Sequence, residues 1–215
     1  MKRIILTAPL LLSLFLSGGC QKTYYKTMET FGYHKRDILV ERVEESRDAQ
    51  EQAKEQFKSA LEKFSEVVTY DGGELEKKYN QLKSELDKSE AKAGKVRDRI
   101  DAVQDVAEAL FSEWEKELDQ YTNERYRETD EQLLTQTKQS YAKLMGAMKK
   151  AEARMEPVLT AFRDQVLFLK HHLNARAVAS LQDELVVIES DVASLVAEME
   201  ASIAEADAFI NDMKE

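Results

Sequence analysis

The chain has 215 residues, a formal net charge of −10, 33 % charged residues, and only 2 prolines, 7 glycines and 1 cysteine. So few turn-forming residues exclude an all-β fold, a single cysteine excludes an internal disulfide frame, and 43 % hydrophobic residues exclude a long disordered chain. The acidic balance also argues against nucleic acid as a partner, because that affinity comes from Lys and Arg on phosphates. A helical protein with a water-facing surface remains.

The first element is a leader. Lys2 and Arg3 precede an apolar stretch from Ile4 to Leu16, broken only by Thr7, Pro9 and Ser13. A bilayer core of about 30 Å needs about 20 apolar residues, so this stretch is too short to span, and its layout is that of a secretory signal peptide. Leu16-Ser17-Gly18-Gly19-Cys20 follows. It resembles the lipobox of bacterial lipoproteins, with Ser17 where a large aliphatic residue is usual. The resemblance implies a signal peptide over residues 1–19, cleavage before Cys20 and a diacylglycerol on its thiol. Gln21, where Asp would retain the protein in the inner membrane, implies the outer membrane and a periplasmic orientation. Each buried methylene contributes about 0.8 kcal/mol, so several acyl chains would anchor the chain without a spanning helix.

Loss of residues 1–19 removes the cations Lys2 and Arg3 and takes the net charge from −10 to −12. Against that balance, residues 20–36 are basic and aromatic. Lys22, Tyr24, Tyr25, Lys26, Lys35 and Arg36 make a candidate membrane-proximal patch. A plain tether, or the start of the helical core, is the competing reading of the same residues.

Residues 37–215 are expected to form an all-α, elongated antiparallel bundle or coiled coil of about four long helices. The punctuation is sparse enough to read mark by mark. Asp71-Gly72-Gly73 is the strongest turn, Thr122-Asn123 a second break, and Thr129-Asp130-Glu131-Gln132 a capping box. Asn174 is a candidate N-cap. The helices predicted from these marks cover about 33–70, 74–121, 129–173 and 175–213. In the second, a heptad seam runs through Leu75, Tyr79, Leu82, Leu86, Ser89, Ala93, Val96, Ile100, Val103, Ala107, Leu110, Trp114, Glu117 and Tyr121. Only Ser89 and Glu117 break its apolar or aromatic character, which is a coiled-coil signal. Pro157 falls inside the third pattern, where a bend is expected, because the stripe continues through Val158, Phe162, Val166 and Leu169.

Chemistry is hard to find. The three histidines, His34, His171 and His172, lack the Glu-x-x-His spacing of di-iron bundles, and no His/Cys zinc spacing occurs. Gly94-Lys95 is no phosphate loop, since Ser89 and Val96 stand where glycine and Ser/Thr are needed. No catalytic, cofactor or metal residue is expected, and the chain is read as a non-enzyme. Residues 163–176 are more unusual. Val166, Leu167, Phe168 and Leu169 make one turn apolar all round, followed by Lys170, His171, His172 and Arg176. Such a turn either caps the core or forms an exposed docking tip with a basic rim, Leu167 and Phe168 at its centre.

With these residues in view, the chain resembles a bacterial family known as domain of unknown function 2959. The carriers are Asp71-Gly72-Gly73, Val96-Arg97-Asp98-Arg99-Ile100-Asp101, Ala107-Glu108-Ala109-Leu110-Phe111, the run from Ala151 through Pro157 to Ala177, and the segment Glu198 to Phe209. The family has no assigned activity, so the resemblance implies a fold and supplies no catalytic residue. The expected function is structural or interactive: an envelope scaffold or docking protein, membrane-held through its lipid, with a protein partner or self-association through the coiled coil. The alternative is a helical module that binds lipid, peptide or an unfolded envelope client, and an enzyme stands third.

Overall fold

Apolar residues at three-and-four spacing, with hardly a glycine or proline between them, can bury one face only as helix. The computed structural model describes residues 35–69, 75–172 and 174–214. It contains α1 (Lys35–Val68), α2 (Leu75–Leu118), α3 (Glu124–His171), the short α4 (Ala175–Ala179) and α5 (Gln182–Lys214), with no strand among the described residues. The expected signal stretch, Cys20, Lys22, Tyr24, Tyr25, Lys26 and the Asp71-Gly72-Gly73 turn lie outside the described residues. The chain divides into two compact units, Met1–Lys35 and Arg36–Glu215, and the helical packing is that of the second.

Side-chain pairs give the topology. Lys78 meets Glu66 at 2.6 Å and Arg99 meets Glu45 at 2.9 Å, so α2 runs antiparallel to α1. Arg97 with Glu156 and Lys138 with Glu115 set α3 antiparallel to α2. Ser140 with Asp212 and Lys150 with Glu198 do the same for α5 and α3. Arg47 with Asp207 closes α5 against α1. Across the diagonal, α1 and α3 run parallel, with Ser46 beside Met148 and the rings of Phe64 and Phe162 edge to face at 6.2 Å. The result is an all-α, up-down-up-down bundle.

The seam expected in α2 is buried from Leu82 to Leu110. Phe57, Phe64, Phe162 and Phe209 fill the interior with Leu144, Met148 and Met155. Polar side chains are enclosed too: Ser46 and Gln50 of α1, Ser89 of α2 and Ser202 of α5 are fully buried. Lys54 runs its stem along the core and brings its ammonium out to Glu51 at 2.9 Å.

Two expected boundaries are corrected. The third helix starts at Glu124, not at the Thr129 capping box, because Asn123 Oδ1 accepts from Arg125 N at 3.0 Å and caps the helix earlier. Thr129 then lies within α3 and donates its hydroxyl to the Arg125 carbonyl. The fourth expected helix is two. Asn174 does cap a helix, with Oδ1 accepting from Ala177 N at 3.0 Å, but Ser180 ends it after five residues. Ser180 donates its backbone N–H and its hydroxyl to the carbonyl of Ala177, and α5 begins at Gln182 with Asp183 and Glu184 in its first turn. Pro157 does not end α3, which runs unbroken through it, with Val158 and Leu159 buried beside it.

Candidate functional site

The two ends of the bundle carry its unusual surface. At the far end, where α3 gives way to α4, the turn that reads as apolar all round is divided by packing. Val166 and Leu169 are buried, whereas Leu167 is 58 % and Phe168 37 % exposed. His172 folds back over Phe168, its ring stacked at 4.8 Å, and its N–H donates to the Leu169 carbonyl to cap α3. Lys170, His171 and Arg176 are exposed around them. Lys170 and His171 occupy the last turn of α3, where cations offset the unpaired carbonyls of a helix C-terminus. Val186 and Val187 of α5 add further exposed apolar surface, 67 % and 55 % accessible. The outer two side chains of the turn, Val166 and Leu169, cap the core, and the inner two, Leu167 and Phe168, face water.

At the entry end, α1 begins at Lys35, inside the segment read as tether. Arg36, expected in the membrane-proximal patch, is half-buried and committed to the bundle. Its Nε and Nη2 donate to the carbonyl of Met213 at 3.0 and 2.6 Å. The same end holds a feature that the sequence reading missed. Arg99 stands opposite Glu45, so Lys35, ten residues before Glu45, lies level with about residue 109 of α2. Ser140 stands opposite Asp212, so α5 finishes at Lys214 level with about residue 138 of α3. The α2–α3 hairpin continues beyond both, for about 13 Å along α2 and about 20 Å along α3 at 1.5 Å per residue.

This overhang is held by one carboxylate. Asp130 Oδ2 accepts from Trp114 Nε1 at 3.0 Å and from the Tyr121 hydroxyl at 3.3 Å. The negative charge of Asp130, followed by desolvation, raises the pKa of Tyr121 and keeps its phenol protonated. Leu118 and Leu134 are buried between the two helices, while Tyr121, Tyr126 and Leu133 are 42 %, 63 % and 41 % exposed. Deeper in, Tyr141 packs edge to face against Phe111 and Phe209, and burial pushes its phenol up to about 12. The available sequence signal was Glu117, a charge at a seam position, which marks where the four-helix core stops.

A family model described as a protein of unknown function, DUF2959, matches residues 24–213. The chain belongs to that family. No curated protein and no solved structure matches it. The DUF2959 match spans both bundle ends, including the aromatic overhang and the Leu167–Phe168 turn. Among the described residues, no three of His, Cys, Asp and Glu converge as metal ligands would, and no helix is long and apolar enough to cross a membrane. Gly94 sits in the middle of α2 with nothing within 4 Å of an added Cβ.

Proposed function

We propose that this DUF2959 protein is a non-catalytic lipoprotein of the outer membrane, held at the periplasmic face through Cys20, whose bundle acts as a scaffold or docking spacer in the cell envelope. The observation that carries the reading is a filled seam with apolar exposure gathered at the bundle ends. Phe57, Phe64, Phe162 and Phe209 close the interior, and Leu167 with Phe168 stands about 50 Å from Arg36 along the 34 residues of α1. A carrier of lipid or unfolded clients calls for an apolar chamber. The recesses between these helices are open grooves, one of about 750 Å³ having Lys63, Glu76, Lys77, Glu85 and Lys88 in its wall, which favours the spacer.

Two measurements test it together. Cys20→Ala is expected to abolish acyl labelling and to move the protein from the membrane to the soluble fraction. Crosslinking from position 168 in intact envelopes is expected to capture a defined protein partner, and Phe168→Asp to lose it while the bundle stays folded. An unlabelled wild-type protein would remove the anchor, and capture of bulk lipid alone would favour the carrier.

A further inference from the structure

The outer surface of the bundle is not the same on every side. Along the outer line of α1, Glu41, Asp48, Glu55 and Glu62 are all exposed at seven-residue spacing. The side formed by α3 and α5 differs. The Lys150–Glu198 pair marks the seam between those two helices. One turn to either side of Lys150 stand Gly146 and Ala153, and one turn to either side of Glu198 stand Ser194 and Ala201. Pro157 and Ala208 continue those lines, and all six are exposed. Ala, Gly and Pro have no rotamer freedom to lose on contact. The lines run side by side for about 30 Å, and two helices of about 10 Å diameter make the face about 20 Å wide. Two such faces together offer about 1,200 Å², where stable protein interfaces begin.

Larger apolar side chains finish the face at the far end. Phe168 lies five turns after Lys150, and Val187 lies three turns before Glu198, so both exposed side chains belong to this side. The charges say what fits. Residues 139–160 of α3 carry four basic and two acidic side chains, whereas residues 186–211 of α5 carry six acidic and no basic ones. Lys143 and Arg154, seven before and four after Lys150, share its side of α3, and Glu205 lies seven after Glu198. The carboxylates of α5 repel an anionic lipid surface. Neither a uniformly basic nor a uniformly acidic partner satisfies both helices. Laying α5 on α5 of a second copy sets six carboxylates against six. Laying α3 on α5 of a second copy sets Lys143, Lys150 and Arg154 of each against Glu198 and Glu205 of the other. We propose that the chain forms a two-fold dimer through its α3–α5 face, with α3 of each copy against α5 of the other. The two-fold axis then runs parallel to the helices, so α1 of both copies starts at the same end. The dimer rests on the docking reading of Phe168 and deepens it, by naming a second copy as the partner.

Sedimentation of the full chain over a range of concentrations is expected to show a monomer–dimer equilibrium. Ala153→Glu with Ala201→Glu should raise the dissociation constant at least tenfold. Both positions face water in the single chain, so helix content by circular dichroism should not change. Lys143→Glu with Arg154→Glu should weaken the dimer, as should Glu198→Lys with Glu205→Lys. An equimolar mixture of those two variants should restore it as a heterodimer, since opposite charges then meet. Ala91→Glu, at an exposed position of α2, should leave the equilibrium unchanged. A monomer at every concentration overturns the proposal, and so does a dimer indifferent to Ala153→Glu with Ala201→Glu. Neither result removes the docking reading, which fails separately if position 168 captures no protein in intact envelopes.

Discussion

Arg36 grips the carbonyl of Met213 with two nitrogens of its guanidinium, at 3.0 and 2.6 Å, and so joins the first turn of α1 to the last turn of α5 across 177 residues of sequence. The acceptor is one of the carbonyls that a helix C-terminus leaves without a partner, and the cation also faces the negative end of the helix dipole. Arg36→Ala is expected to cost about 2 kcal/mol, as for hydrogen bonds to a charged group, and Arg36→Lys less. Denaturant unfolding measures both, and faster amide exchange over the last turn of α5 should accompany the loss.

The enclosed polar side chains predict the opposite sign. Ser202 Oγ and Gln50 Oε1 are enclosed without a hydrogen-bond partner among the described residues. Ser202→Ala removes a buried, unpaired hydroxyl and should stabilise the bundle by about 1 kcal/mol. A destabilised variant in thermal unfolding would instead place a bound water on that hydroxyl.

Gly94 and Gly146 lie inside α2 and α3, and a Cβ at either meets nothing within 4 Å. Alanine at each should raise stability by about 0.5–1 kcal/mol, through the helix propensity that glycine lacks. The two sites share no partner, so the double variant should be additive. Helix content by circular dichroism should not change.

Acid should loosen the far end first. Hydrogen bonds from Lys63 and then Lys78 hold the Glu66 carboxyl at about 2, below its ordinary value of 4.5. A carboxyl lowered by folding stabilises the fold above its unfolded pKa and loses that contribution as pH falls through the folded one. Arg163 and Arg97 lower Glu156 in the same direction, and Lys88 lowers Glu85. The unfolding temperature should therefore fall between about pH 4.5 and 2, and Glu66→Gln should flatten part of that slope.

The fold was legible where one physical rule acted alone. Val96, Ile100, Val103 and Ala107 sit at seam spacing on a long uninterrupted helix, and each is buried. Asn174 was readable as a cap for the same reason, since its side chain needs only its own turn. Boundaries decided by competition were not legible. Asn123 and Thr129 can both cap a helix; Asn123 does so by taking the Arg125 N–H, while Thr129 donates to the Arg125 carbonyl inside α3. The break at Ser180 rests on a hydroxyl returning to Ala177, a local bond that heptad spacing does not encode. The division at Val166–Leu169 and the overhang depend on which neighbouring helix reaches each level. That is set by the relative lengths of four helices and not by any one of them.

The up-down register also has a mechanical consequence. A pull entering at Arg36 against a grip on Phe168 runs along the axes of α1 and α3, with antiparallel neighbours on either side. The helices are then loaded in shear, so Phe57, Phe64 and the layers between them must yield together. A pull on the α2–α3 overhang at right angles to those axes opens the same interface like a zipper, one layer at a time. One bundle therefore offers stiffness along its length and compliance at its edge.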